Sequence, residues 1–103
     1  MQTAVQNKRT LISLLKANSQ KLKSYGVSSL SIFGSFITGK LDVDSDVDLL
    51  VDFDPSQKSY DNFMDLSFFL EDLLGRKVEL VTPQSLSKYI GSHILKQAEH
   101  VAI

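Results

Sequence analysis

The segment Asp46-Val47-Asp48-Leu49-Leu50-Val51-Asp52-Phe53 constrains the fold more than any other part of the chain, because apolar and acidic residues alternate along it with a period of two. In an extended backbone Val47, Leu49, Val51 and Phe53 fall on one face and Asp46, Asp48, Leu50 and Asp52 on the other. The first face suits a core, and the second carries carboxylates. Side chains two apart on a strand are separated by roughly 6.6 Å, so Asp46 and Asp48 can converge on metal ions about 4 Å apart. Without a cation the two charges would repel by roughly 2.5 kcal/mol at an effective dielectric near 20. Water or a metal must therefore accompany them.

Ten intervening residues separate Asp46 from the end of a second informative run, Leu30-Ser31-Ile32-Phe33-Gly34-Ser35. An apolar strand-like stretch here leads into a glycine, which permits a tight turn where backbone N–H groups and the Ser35 hydroxyl can approach phosphate oxygens. A short helix over Phe36 to Thr38 would add a favourable N-terminal dipole. A third carboxylate comes from Lys77-Val78-Glu79-Leu80-Val81, where Glu79 faces opposite Val78 and Leu80. Pairing of this strand beside the Asp46 strand would aim Glu79 at the same place, to bind metal and help deprotonate an attacking hydroxyl.

Two competing motifs fail at diagnostic positions. Gly34-Ser35-Phe36-Ile37-Thr38-Gly39-Lys40 matches the start of a P-loop, but Leu41 follows where a magnesium-binding Ser or Thr is required, and no helix signal comes next. Asp42, Asp44 and Asp46 imitate the start of an EF-hand, yet its sixth position would be Val47 and its twelfth Phe53. Asp42, Asp44, Asp52 and Asp54 read as solvated turn and strand residues. His93 and His100, seven apart, have no Cys or third ligand beside them, so no zinc site is expected. Tyr60, Tyr89, Phe68 and Phe69 are read as packing residues.

The 103 residues, 43% hydrophobic and 22% charged, suit one compact domain over 1–103. A helix is expected over about Asn7 to Tyr25, with Leu11, Leu14, Leu15, Leu22 and Tyr25 as its apolar stripe and Gly26 as its stop. Another is expected over about Tyr60 to Leu74, through Phe63, Leu66, Phe69, Leu70 and Leu73, and is closed by Gly75. A final helix after Pro83 would carry Leu86, Tyr89, Ile90, Ile94, Ala98 and Val101, and hence both histidines. The class is α+β, a small mixed β-sheet with flanking helices in the order α-β-α-β-α-β-α. A net charge of −1 with scattered lysines gives no electrostatic case for long nucleic acid. With no cysteine, long apolar run or signal-peptide pattern, a cytoplasmic protein without membrane attachment is expected.

The combination of Gly34-Ser35 with Asp46-Val47-Asp48 resembles the DNA polymerase beta-like nucleotidyltransferase superfamily. The short length and the Glu79-Leu80-Val81-Thr82-Pro83 stretch narrow this to the minimal nucleotidyltransferase antitoxins of the HEPN/MNT toxin-antitoxin type. The resemblance implies a nucleotidyltransferase-like fold and a metal-dependent transfer of AMP from ATP to a tyrosine hydroxyl of a partner HEPN ribonuclease toxin, in a hetero-oligomer. Gly34 and Ser35, helped by Lys40, would bind the nucleotide, while Asp46, Asp48 and Glu79 would be catalytic and hold magnesium, with two ions expected. The chain departs from the family where Phe36-Ile37-Thr38-Gly39 replaces Arg-Ala-Arg-Gly and Glu79 stands in place of the usual aspartate. The alternative is thus a catalytically weakened antitoxin that neutralises its toxin by binding alone.

Overall fold

The structure is a computed structural model that describes residues 4–42, 44–56, 59–85 and 88–103. The first helical region is divided in two, α1 (Lys8–Ala17) and α2 (Ser19–Ser24), where the sequence pattern predicts one helix. Asn7 starts α1 by accepting a 2.7 Å bond from the Thr10 N–H. The break falls at Asn18, whose amide Nδ2 donates back to the Leu14 carbonyl at 2.9 Å. Such short polar side chains compete with the helix for backbone groups, and apolar spacing does not register that competition. The apolar stripe survives the break, because Leu11, Leu15 and Leu22 are all buried.

Four strands follow, β1 (Val27–Phe33), β2 (Val47–Phe53), β3 (Val78–Val81) and β4 (Glu99–Val101), arranged in the order β3-β2-β1-β4. β1 pairs antiparallel with β2 and β4, whereas β2 and β3 are parallel, so the sheet is mixed. The helix α3 (Ser35–Thr38) lies between β1 and β2, and α4 (Tyr60–Leu74) connects β2 to β3. Ser59 caps α4 by accepting from the Asn62 N–H at 3.1 Å, and Gly75 ends it in a left-handed conformation at φ +66°.

One sheet face carries the core. Leu30, Ile32, Val47, Leu49, Val51 and Val101 meet Leu11, Leu15 and Leu22 of the first two helices and Leu66, Leu70 and Leu74 of α4. The alternation of β2 is obeyed, with Val47, Leu49, Val51 and Phe53 buried and Asp48 and Asp52 only half-buried. Leu50, grouped by period with the aspartates, is nevertheless only 7% exposed. The 3-10 turn Pro83–Ser85 lies against β2, a neighbour that a strand pattern does not reveal.

The last segment corrects the sequence reading. The helix α5 spans Lys88–Gln97, and Ala98 closes it with an N–H bond to Ile94 O at 2.8 Å. Val101 is then not helical but lies opposite Leu30 on β4, and His100, opposite Ser31, shares no helix with His93. The spacing of Ile94, Ala98 and Val101 fits a helix, yet β1 would be left with an open edge, and pairing there overrides local preference. Leu86 and the side chains of Tyr89, Ile90 and His93 fall outside the described residues. No helix among the described residues is long and apolar enough to cross a membrane.

Because Val101 is 1% exposed, its replacement by alanine should cost about 2 kcal/mol in urea denaturation. Ala102→Ser, at the exposed neighbouring position, should stay within about 0.5 kcal/mol of the parent.

Candidate active site

Strand register brings the predicted residues together. Asp48 lies opposite Phe33, the last residue of β1, and on its other side opposite Glu79 of β3. Directly paired residues project from the same face, with strands about 4.8 Å apart, so the Asp48 and Glu79 carboxylates are neighbours. Asp46 is exposed one residue before β2, where Val47 ties the strand to β3 by a 2.9 Å bond from its N–H to Lys77 O.

Immediately after Phe33, Gly34 takes φ +76° and ψ −147°, a region that essentially only glycine occupies. A methyl group at Gly34 would lie 2.1 Å from Asp48 Oδ2 and 2.9 Å from its Cγ. The glycine therefore serves two ends at once, permitting the bend and admitting the carboxylate against the backbone. Gly34 also accepts the first bonds of α3, from the N–H groups of Ile37 and Thr38 at 2.9 and 3.0 Å. As at any helix start, the N–H groups of Ser35 and Phe36 have no intrahelical acceptor. The expected short helix is thus present, beginning at Ser35. Lys40 is exposed beyond its far end, just after Gly39.

The carboxylates feel one another. Asp48 is raised from 3.8 to about 6, foremost by its burial, then by the hydrogen bond that its protonated form makes to Glu79, and further by the charges of Glu79 and Asp46. The cluster thus carries more negative charge than its surroundings balance. Among the described residues, no three His, Asp or Glu side chains already enclose a cation position. Asp48 and Glu79 form the close pair, and Asp46 stands at charge–charge range. These three, all oxygen donors, are the residues here that could hold a hard cation.

Other acidic residues have structural tasks. Asp42 accepts from the Asp44 N–H at 2.8 Å, and Asp54 from the Ser56 N–H at 3.0 Å and the Ser56 hydroxyl at 2.8 Å. These are the turn roles expected for them. A cleft of about 470 Å³ lined by Phe53, Ser59, Tyr60, Phe63 and Thr82 lies at the opposite end of β2, about 16 Å along the strand from Asp48. Asp46 and Glu79 are exposed, and Asp48 is half-buried.

Arg76 is the residue that sequence reasoning missed. It follows the Gly75 cap, and its guanidinium donates to the carbonyls of Ser45 at 2.8 Å and Asp42 at 3.1 Å while lying 5.5 Å from the centre of the Phe36 ring. The available signal was compositional, since Arg76 is one of only two arginines in the chain.

Comparison with known proteins agrees with this geometry. The profile of the nucleotidyltransferase domain matches residues 11–100. The protein adenylyltransferase MntA of Thermococcus cleftensis is 39% identical over 90 residues, covering 86% of this chain and 90% of that protein. A solved structure described as a minimal nucleotidyltransferase superposes with a TM-score of 0.78 at 29% identity, covering 90% of this chain and 94% of its own. A toxin-antitoxin crystal structure with AMP-PNP shares the fold with a TM-score of 0.66 at 23% identity, over 93% of this chain and 73% of that one. The chain belongs to the nucleotidyltransferase domain family, among its minimal members, and its reaction class is nucleotidyl transfer.

Two outcomes follow from Asp48. Gly34→Ala should cost about 1–3 kcal/mol from backbone strain and displace the carboxylate, seen as a lowered Tm with a large loss of transfer activity. The raised Asp48 value means that the native state holds a proton that the unfolded chain releases. That contribution to stability is full below pH 3.8 and is lost as pH rises through about 6. Asp48→Asn should therefore flatten the pH profile of denaturation in this window. At neutral pH the variant should be the more stable by about 1 kcal/mol, a figure discounted for solvent around the carboxylate.

Proposed function

We propose that this protein is a metal-dependent antitoxin that transfers AMP from ATP to a tyrosine hydroxyl of a HEPN ribonuclease toxin, acting in the cytoplasm as a hetero-oligomer with that toxin. The observation that carries this reading is the Asp48 carboxylate packed between the Gly34 bend and Glu79. It puts a backbone turn of phosphate size beside oxygen donors that repel one another. A magnesium ion is commonly held by one or two carboxylates plus substrate phosphates, and the close pair of Asp48 and Glu79 suits it.

In this mechanism the N–H groups after Gly34 and the Ser35 hydroxyl bind phosphate oxygens of the nucleotide. Asp46 and Asp48, with Glu79, would hold magnesium, two ions in the full site, which would neutralise charge on the triphosphate and on the departing pyrophosphate. Glu79 is exposed and faces the acceptor, where it orients the tyrosine hydroxyl and helps take its proton. The oxygen attacks the α-phosphorus in line, the bond to pyrophosphate breaks, and AMP remains on the tyrosine. Exposure of Asp46 and Glu79 suits an acceptor carried by another protein, because a side chain on its surface can reach them. Lys40 is the exposed cation available to the outer phosphates.

A second reading is favoured by one feature: Phe36 is buried, and Phe36-Ile37-Thr38 supplies no cation beside the bend. In that case the fold neutralises the toxin by binding alone. Labelled ATP, magnesium and a candidate HEPN toxin distinguish the two. The tyrosine should be labelled, and Asp46→Asn with Asp48→Asn should reduce labelling by at least about 100-fold. Undiminished labelling by the double variant would refute the chemistry. If the double variant labels nothing yet still neutralises the toxin, the binding reading stands.

A further inference from the structure

We propose that Arg76 is the positioning residue of the transfer site, holding the Gly34 bend and the Asp46 segment in the spacing that Mg2+ and a nucleoside triphosphate require. The role in transfer rests on the functional reading above; the ordering of the segment stands on the contacts alone.

Arg76 reaches three separate parts of the chain. Its Nη1 donates to Ser45 O at 2.8 Å and to Asp42 O at 3.1 Å, fixing the residues that lead directly into Asp46. Its Nε donates to Val5 O at 2.5 Å, and the Val5 N–H bonds Leu74 O at 2.9 Å, so the guanidinium is braced against the end of α4. Its planar face lies over Phe36, the residue after Ser35 and a buried part of α3. Arg76 is itself only three residues before Glu79. One side chain therefore touches the flanks of the phosphate bend and of Asp46 and sits on the segment that delivers Glu79.

The chemistry calls for arginine. Its fixed fork offers several donors at once and its flat face stacks on a ring, whereas an ammonium is a single strongly hydrated point charge. Among the described residues, the segment from Gly39 to Asp46 has no strand or helix of its own, and bonds within it, such as Asp42 N–H to Ser45 Oγ at 2.9 Å, close a turn without attaching it to the sheet. Backbone ordering opposes its fixation, and the Arg76 bonds oppose that loss. A displaced Asp46 would remain a carboxylate but would no longer stand at charge–charge range of Asp48.

The test compares Arg76→Ala, Arg76→Lys and, as a control, Arg9→Ala, at the other arginine, which is exposed on α1. Amide exchange is followed by mass spectrometry, and binding of AMP-PNP with Mg2+ by calorimetry. Arg76→Ala should speed exchange in residues 39–46 while leaving β1 and α4 protected, and should weaken AMP-PNP binding about tenfold. Arg76→Lys should fall between, and Arg9→Ala should match the parent. Exchange over 39–46 at the parent rate, with affinity within about twofold, would overturn the proposal. Should Arg76→Ala lose protection throughout, Arg76→Lys decides by the same two readouts. A parent protein that binds no AMP-PNP would overturn the functional reading and the transfer role with it, while the exchange comparison would still decide whether Arg76 orders the segment.

Discussion

The pairing register of β2 is the constraint on which both the core and the chemistry depend. Because side chains alternate faces, the register that puts Leu49 opposite Ile32 and Leu80 in the core layer also puts Asp48 between Phe33 and Glu79. A slip by one residue would drive Asp48 among Leu15, Leu66 and Leu70 and expose Leu49. An unpaired carboxylate buried in that way is so unfavourable that the hydrophobic pattern fixes the position of the acid. The apolar residues thus aim the acidic ones.

This coupling explains why so much of the site was legible in the chain. Val47, Leu49, Val51 and Phe53 announce a buried face, and the Asp48–Glu79 neighbourhood follows once β3 lies beside β2. Gly34 was legible as a bend but not as the partner of Asp48, because the steric reason for glycine arises from a residue fourteen positions later. Helix periodicity located α4 well, since its apolar stripe, its Ser59 cap and its Gly75 stop agree. It failed at Asn18, where a side chain competes for backbone groups, and at Val101, where the unpaired edge of β1 decides the outcome. Arg76 was illegible for a related reason: its partners are carbonyl groups, which every residue has and no sequence pattern marks.

The two departures from the family pattern acquire physical meaning in the fold. Phe36 stands where an arginine is usual in the resembled family, and it is not a solvent-facing gap but a buried ring beneath the Arg76 guanidinium. Apolar packing there stiffens α3, and the arginine is directed at the protein backbone. Glu79 is longer than aspartate by one methylene, yet in a parallel pair directly beside Asp48 the carboxylates still meet.

The crowding of negative charge links the stability of this protein to its occupancy. Burial and the Glu79 and Asp46 charges favour a proton on Asp48, so below about pH 6 an ion that enters this cluster must displace it. Under the proposed function the proton and the cation are alternatives at one carboxylate, and the fold tolerates the repulsive cluster because either of them relieves it. A carboxylate so placed is poorly used as a structural element, since asparagine would hold the strand with less electrostatic strain. Under the proposed function its presence near the start of a strand that is otherwise well packed on the core side is explained by what it binds and not by what it stabilises.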